Sequence, residues 1–421
     1  MYMSYKVYPV GLIGVIFAFC SQVNGTQSAA DSEYGPCFEP PKTNKVTHPM
    51  TGDEIANRLS KRFEVTQQTR TDIRSAVDLN VISINSSDAD NIHIITDYTG
   101  MGRDHIYMWY NFAPCKYTNC IALNPHRGYT SPPTNLSNEA SMIVFSIVAF
   151  RNMAVFPNIT TRPGRYLVAV ALESSGYSFN RMSSAFDGHI NITMTYKGDS
   201  TVPAPHIYQA CTKRKLNPMP PVNYAEGKTK GAVAYVSNCR SQHYDRLALM
   251  KQLKNYIPID IYGSCGNADP CRRKETGCVA NQNKEYRFYL AFENSLCVDY
   301  ITEKFWSRLS EKSNVLPIAM GGLTVDEYTE IAPDDSFIHV RNFTSVAELG
   351  KYLKLLMTDD ERYNRYHRWR EVYDMHMRPP ASRYPACEVC RIANEKPHLP
   401  AEENLSANYN SPNNCATYQL L

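Results

Sequence analysis

Between Gly231 and Met375 continuous apolar runs alternate with amphipathic ones, and few folds accommodate that pattern. Gly231–Asn238 reads as a strand, Tyr244–Tyr256 as a helix, Ile257–Gly263 and Tyr286–Asn294 as strands. A further helix is followed by strands at Asn314–Gly322 and Ser336–Val340, then by two closing helices from Ser345 to Met357 and from Asp359 to about Met375. Because these runs are apolar throughout, both faces of each strand are expected to be buried, as in a parallel sheet with helices on each side. The second half is therefore predicted to be α/β and Rossmann-like. In the first half, Ile106–Tyr110, Ala140–Phe150 and Arg165–Glu173 read as strands, and order is expected to begin near His105. A proline-, lysine- and asparagine-rich segment from Pro203 to Lys230 is the best boundary between the halves. No internal repeat is visible.

A chain of 421 residues with 43% hydrophobic content holds more than one ordinary core. We divide it into 1–25, an apolar leader; 26–90, a polar stem with a short helix at Asp53–Phe63; 91–225; 226–376; and 377–421, a tail. A net charge of +3 gives no argument for nucleic acid as a partner. The apolar run Val7–Cys20 follows Lys6 and addresses the chain to the secretory pathway. It is shorter than the ~20 residues of a usual spanning helix, and Val23-Asn24-Gly25 has the form of a cleavage site, so membrane anchor and signal peptide are both open.

Twelve of the thirteen cysteines lie outside that run, and an oxidising lumen favours disulfides over zinc. We expect Cys115 and Cys120 to be joined to Cys387 and Cys390, clamping the two ends together. Sequons at Asn85, Asn135, Asn158, Asn191, Asn342 and Asn404 agree with a lumenal address, and Asn24 lies too near the leader to be a good acceptor.

The most informative stretch is Phe292-Glu-Asn-Ser-Leu-Cys-Val-Asp-Tyr-Ile-Thr-Glu-Lys304, directly after a strand. If its helix starts near Asp299, Tyr300, Glu303 and Lys304 share a face beside an anion-favouring helix N-terminus, a corner suited to a diphosphate. On residues alone, a solvated helical face capped by Asp299 is an equal reading. In the first half, Glu173 ends an otherwise apolar strand; it is either a functional carboxylate or a turn residue paired with an arginine such as Arg181.

The stretch Phe292–Trp306 closely resembles the donor-binding signature of the α1,3-fucosyltransferases, glycosyltransferase family ten. Val236-Ser237-Asn238, Tyr262-Gly-Ser-Cys-Gly266 and Phe337-Ile-His-Val340 resemble further family segments in the family's order. The likeness runs roughly from Asp104 to Arg391 and is nearest the nematode members, through Cys387-Glu-Val-Cys-Arg391. It implies a GT-B fold, with an N-terminal membrane anchor and stem and two Rossmann-like domains facing across a cleft. Residues 91–225 would then bind the acceptor and 226–376 GDP-fucose.

At matching positions, the resemblance implies that Asn238, Asn294, Tyr300, Glu303 and Lys304 bind the donor, with Arg246 on its phosphates. It implies Glu173 as the general base of an inverting transfer to an N-acetylglucosamine hydroxyl on a glycoprotein or glycolipid, and Tyr196 and Asp199 on the acceptor side. Ser175 stands where members carry proline, Lys197 and Gly198 replace basic residues, and Met320 replaces an aromatic one. No metal cofactor is required by motif, although members are often stimulated by Mn2+ or Mg2+; Asp88-Ala-Asp90 lies in the stem and is discounted. The resemblance further implies a single-pass Golgi membrane protein with its catalytic domain in the lumen. Core, distal and antennary N-acetylglucosamine all remain open as acceptor, and a catalytically silent glycan-binding relative is the alternative from another class.

Overall fold

The computed structural model describes Asp53, Glu54, Asn57 and residues 92–97, 115–123, 140–147, 153–159, 162–176, 181–204, 210–213, 222–241, 244–268, 284–310, 313–333, 335–376 and 385–418. The leader, most of the stem helix and the Ile106–Tyr110 run lie outside these residues. Among the described residues no helix is long and apolar enough to cross a membrane.

Two five-stranded sheets organise the described residues. The first contains β1 (His93–Asp97), β2 (Cys120–Leu123), β3 (Met142–Ser146), β4 (Tyr166–Ala171) and β5 (Ile192–Thr195), in the order β2-β1-β3-β4-β5. The second contains β7 (Lys230–Tyr235), β8 (Ile259–Tyr262), β9 (Tyr286–Phe292), β10 (Leu316–Met320) and β11 (Ile338–His339), in the order β11-β10-β9-β7-β8. Every pairing in both sheets is parallel. Counted from its own first strand, each sheet has the order 2-1-3-4-5, a doubly wound topology. The repeat absent from the sequence is thus present in the topology. In each sheet the winding reverses between the first and third strands, which for the second sheet are β7 and β9.

Burial follows the sequence pattern. All seven residues of β9 and all six of β4 are buried. Strand alternation sends Ile94, Ile143, Phe145 and Leu167 into one core and Ile95, Met142, Val144 and Val168 into another, on the opposite face of the first sheet. The second sheet likewise separates two cores, one holding Phe288, Leu290 and Phe292, the other Tyr289 and Ala291.

The α-helices whose bounds fall among the described residues are α1 (Arg246–Leu253), α2 (Glu303–Leu309), α3 (Val325–Ile331), α4 (Val346–Leu356), α5 (Asp360–Arg365), α6 (Trp369–Val372), α7 (Pro385–Glu395) and α8 (Leu405–Tyr409). The single closing helix expected from Asp359 to Met375 is instead α5, α6 and then β12 (Tyr373–His376), which pairs antiparallel with β6 (Ala210–Lys213) from the segment between the sheets. Tyr373 and Met375 are buried in the core beneath the second sheet, and the extended backbone allows both to point the same way.

The C-terminal residues are more than a tethered tail. Ala386, Val389, Ile392 and Ala393 of α7 complete one core of the first sheet, and Leu405 and Tyr409 of α8 enter the other. Cys115 pairs with Cys387 and Cys120 with Cys390, the expected clamp. Among the described residues two further disulfides, Cys239–Cys265 and Cys297–Cys415, lie in the second half and between it and the C-terminal segment.

Candidate active site

Parallel α/β sheets bind ligands at the carboxyl ends of their strands, where the winding reverses. In the second sheet that place is marked by Arg246, at the first turn of α1, where Asp245 caps the helix by accepting from Ala248 N. The Arg246 guanidinium is buried and donates to Asn238 O, just past β7, at 2.6 Å and to Phe292 O, the end of β9, at 3.0 Å. One cation therefore ties together the two strand ends that flank the reversal. Its Nε is buried without a hydrogen-bond partner among the described residues, as is Asn294 Oδ1 two residues beyond β9. Each such atom costs roughly 1–3 kcal/mol unless a ligand or water satisfies it.

The loops around this cluster pass too closely for side chains at several glycines, Gly263 and Gly322 among them. Gly263 has φ of +99°, and a Cβ there would lie 2.6 Å from Val236 O. A Cβ on Gly322, after β10, would lie 1.8 Å from Cys297 O. The Cys239–Cys265 disulfide joins the loop after β7 to the loop after β8.

The helix of the Phe292–Lys304 stretch starts later than expected. Glu303 is its first residue and Thr302 its cap, so Asp299 and Tyr300 lie in the preceding loop. Asp299 takes φ of +64°, and its carboxylate accepts from Gly198 N at 2.8 Å, tying this stretch to the first half. Burial raises the Asp299 carboxyl above its ordinary range, and the Gly198 N–H opposes the rise.

Glu293 is fully buried and passed unremarked in the sequence. It accepts from Thr302 N at 2.8 Å and from Thr302 Oγ1 at 2.9 Å, and pairs with Lys304 Nζ at 3.2 Å. Its signal was available: like Glu173, it is a carboxylate at the end of an apolar strand. Burial alone would lower the Lys304 ammonium, but Glu293 and Glu303 hold it well above its ordinary value, so it stays charged. The Glu303 side chain is largely exposed and lies 3.4 Å from Lys304 Nζ.

Glu173, two residues past β4, comes from the other sheet. Its Oε2 accepts from Tyr300 Oη at 2.7 Å, so its partner is this tyrosine rather than Arg181, which is exposed. Burial, and then the Glu173 charge, push the Tyr300 phenol well above its ordinary range, keeping it a donor. Tyr196, just past β5, packs edge-on against Tyr300 with ring centroids 5.1 Å apart, and burial pushes its phenol up to about 12. Asp199 is mostly exposed and pairs with Lys197 at 3.1 Å.

The structure thus forms two neighbouring groups: Arg246, Asn238 and Asn294 at the reversal, and Glu173, Tyr300 and Tyr196 between the halves. Lys304 and Glu303 join the first group's strand through Glu293. Among the described residues no cluster of three His, Cys, Asp or Glu could hold a metal ion, and Asp88 and Asp90 lie outside them. Of the sequons, Asn158, Asn342 and Asn404 are exposed, while Asn85 and Asn135 lie outside the described residues. Asn191 differs: its Nδ2, the atom a glycan would take, donates to Leu399 O at 3.0 Å, and its Oδ1 accepts from Leu167 N at 3.0 Å. That engagement counts against it as an acceptor.

Residues 225–407 match the family described as "Glycosyltransferase family 10 (fucosyltransferase) C-term", and residues 102–207 match "Fucosyltransferase, N-terminal". The chain is 40% identical over 211 residues to glycoprotein 3-alpha-L-fucosyltransferase A of Drosophila melanogaster, covering 50% of this chain and 40% of that one. It is 32% identical over 252 residues to alpha-(1,3)-fucosyltransferase fut-1 of Caenorhabditis elegans, covering 56% and 55%. The chain thus spans about half the length of these curated relatives. A crystal structure of an alpha1,3-fucosyltransferase with GDP-fucose aligns with a TM-score of 0.36 at 18% identity, covering 65% of this chain and 80% of that one. With the two family models together matching well over half of its residues, the chain belongs to glycosyltransferase family 10, the fucosyltransferases.

Proposed function

We propose that the chain is an inverting α1,3-fucosyltransferase that moves fucose from GDP-fucose to an N-acetylglucosamine hydroxyl of a glycan. In this reading the two sheets are the halves of a GT-B enzyme, the second binding the donor and the first the acceptor. The observation that carries it is the bond from Tyr300 to Glu173: the donor-signature loop of one sheet meets a strand-end carboxylate of the other. Family membership supplies the sugar and the nucleotide.

The acceptor hydroxyl attacks the fucose anomeric carbon while its proton passes to Glu173 Oε1, since Oε2 holds the Tyr300 hydroxyl. The bond from that carbon to the diphosphate oxygen breaks, and GDP leaves with the electron pair. A single displacement inverts the carbon. The charge gathering on GDP meets Arg246, whose two protein bonds go to uncharged carbonyls, and the Lys304 ammonium. Such fixed charges in a dry site stabilise a leaving anion without reorganising. Asn238, Asn294 and Glu303 orient the donor, and Tyr196 and Asp199 border the acceptor. Mn2+ or Mg2+ would stimulate by assisting GDP rather than through a dedicated carboxylate site.

The same reading places the protein in the Golgi membrane as a single-pass type II chain, with residues 26–90 as stem. The apolar run, the sequons and the disulfides support it.

The test is incubation with GDP-fucose and defined core, distal and antennary N-acetylglucosamine acceptors, with and without Mn2+, with the product linkage and anomer read by NMR. An inverted, 3-linked fucose on one acceptor class supports the proposal. Retention of configuration, or absence of transfer with GDP-fucose bound, contradicts it.

A further inference from the structure

The family match ends at residue 407, yet the next residues touch the centre of the site. Tyr409 is buried, and its hydroxyl donates to the backbone carbonyl of Glu173 at 2.8 Å. Cys415 is bonded to Cys297, in the donor-signature loop, and its Sγ lies 4.0 Å from Ser175 Oγ, two residues after Glu173. The contact is more than one bond: Val298 N donates to Asn414 O and Ala416 N to Leu296 O, both at 2.8 Å, so the strap runs antiparallel beside the loop.

Within the strap, Asn414 Nδ2 donates to Tyr409 O at 2.9 Å and to Asn408 O at 2.8 Å, fixing Tyr409 relative to Cys415. Within the loop, Tyr300 N donates to Cys297 O at 3.1 Å, fixing Tyr300 relative to Cys297. Glu173 is therefore gripped by two phenols, Tyr300 on its carboxylate and Tyr409 on its carbonyl. The Cys297–Cys415 disulfide, with the two backbone bonds beside it, closes the path between them.

We infer that Tyr409 is a positioning residue for Glu173, and that the Cys297–Cys415 bond makes Tyr409, the strap and Tyr300 one rigid unit that sets the carboxylate's place. The inference rests on Glu173 acting as general base. Proton transfer needs hydrogen-bond distance and alignment, so a displaced carboxylate slows the chemical step while leaving the nucleotide's contacts with Arg246 and Lys304 unchanged.

The test uses the full lumenal chain with Tyr409→Phe, the paired Cys297→Ser and Cys415→Ser variant, and the two combined. Fucosyl transfer gives kcat and KM, and calorimetric titration with GDP gives affinity and the number of competent sites per chain. Tyr409→Phe is expected to lower kcat about tenfold, with the KM for GDP-fucose, GDP affinity and site number within twofold of the parent. The cysteine variant should behave alike, and the combined variant should lose little more than either, because the groups act as a unit. An unchanged kcat in Tyr409→Phe would overturn the inference, and so would a loss of kcat that tracks a loss of GDP-competent sites, which marks simple misfolding. A parent chain without transfer activity would instead overturn the proposed function itself.

Discussion

The buried pair of Glu293 and Lys304 gives the most quantitative handle on the donor corner. Their side chains are 1% and 19% exposed at a separation of 3.2 Å, so solvent screens the pair poorly. Glu293→Gln removes the buried carboxylate beside the Lys304 ammonium and leaves it the largely exposed Glu303 at 3.4 Å, and breaking a buried pair from one side costs about 3–5 kcal/mol. Glutamine keeps one acceptor oxygen for Thr302, which retains about 1 kcal/mol and places the expected loss near 3 kcal/mol. Lys304→Met removes the cation but leaves Glu293 accepting from Thr302 N and Oγ1, so a smaller loss of about 2 kcal/mol is expected. The double variant buries no charge and should lose about 3 kcal/mol rather than the sum, a coupling of roughly 2 kcal/mol. Urea unfolding with the disulfides intact, followed by tryptophan fluorescence, measures the cycle, since Trp306 lies in the same helix as Lys304. Additivity within about 0.5 kcal/mol would refute the claim that the two groups sustain each other.

Gly322→Ala forces a methyl to within 1.8 Å of Cys297 O, and about 3 kcal/mol or more of stability should be lost, read as a fall in Tm and in secreted yield. His339 is buried and held down to about 3 by burial and then by Arg341, and burial holds His367 well below its ordinary value. Both are neutral when folded and bind protons near pH 6.5 once unfolded. Their stabilising effect is complete above that pH and is lost as pH falls below it, for His339 by about 2 kcal/mol between pH 6.5 and 5. His339→Gln should flatten that slope in melts taken from pH 7 to 5. Mass spectrometry of secreted protein should find glycan on Asn158 and none on Asn191, and Asn191→Gln should cost about 1–2 kcal/mol through its two lost bonds.

The strands of the second half were legible because a parallel strand buried on both faces must be apolar throughout, and Tyr286–Phe292 shows it. β1 and β2 were not: His93–Asp97 and Cys120–Leu123 are too short and too flanked by polar residues to stand out, and pairing with neighbours supplies their order. The shared strand order of the two sheets left no trace, since topology is fixed by long-range pairing and survives without residue identity. Aspartate favours helix caps, which made an Asp299 cap one of two equal readings of that stretch, but Asp299 occupies the left-handed region and Thr302 caps the helix. The disulfide clamp followed from cysteine spacing and compartment. The covering of the first sheet by α7 and α8 did not, because an amphipathic helix carries no address for its partner.

The central claim is that Glu173 of the first sheet serves chemistry on a nucleotide sugar held by the second. Transfer rate and GDP affinity, measured on one preparation each of the parent chain and Glu173→Gln, test it most directly. Glu173→Gln should lower kcat by about 10²–10⁴ with GDP affinity within twofold, as expected for loss of a general base alone. Transfer that survives the substitution, or GDP binding that disappears with it, would contradict the account.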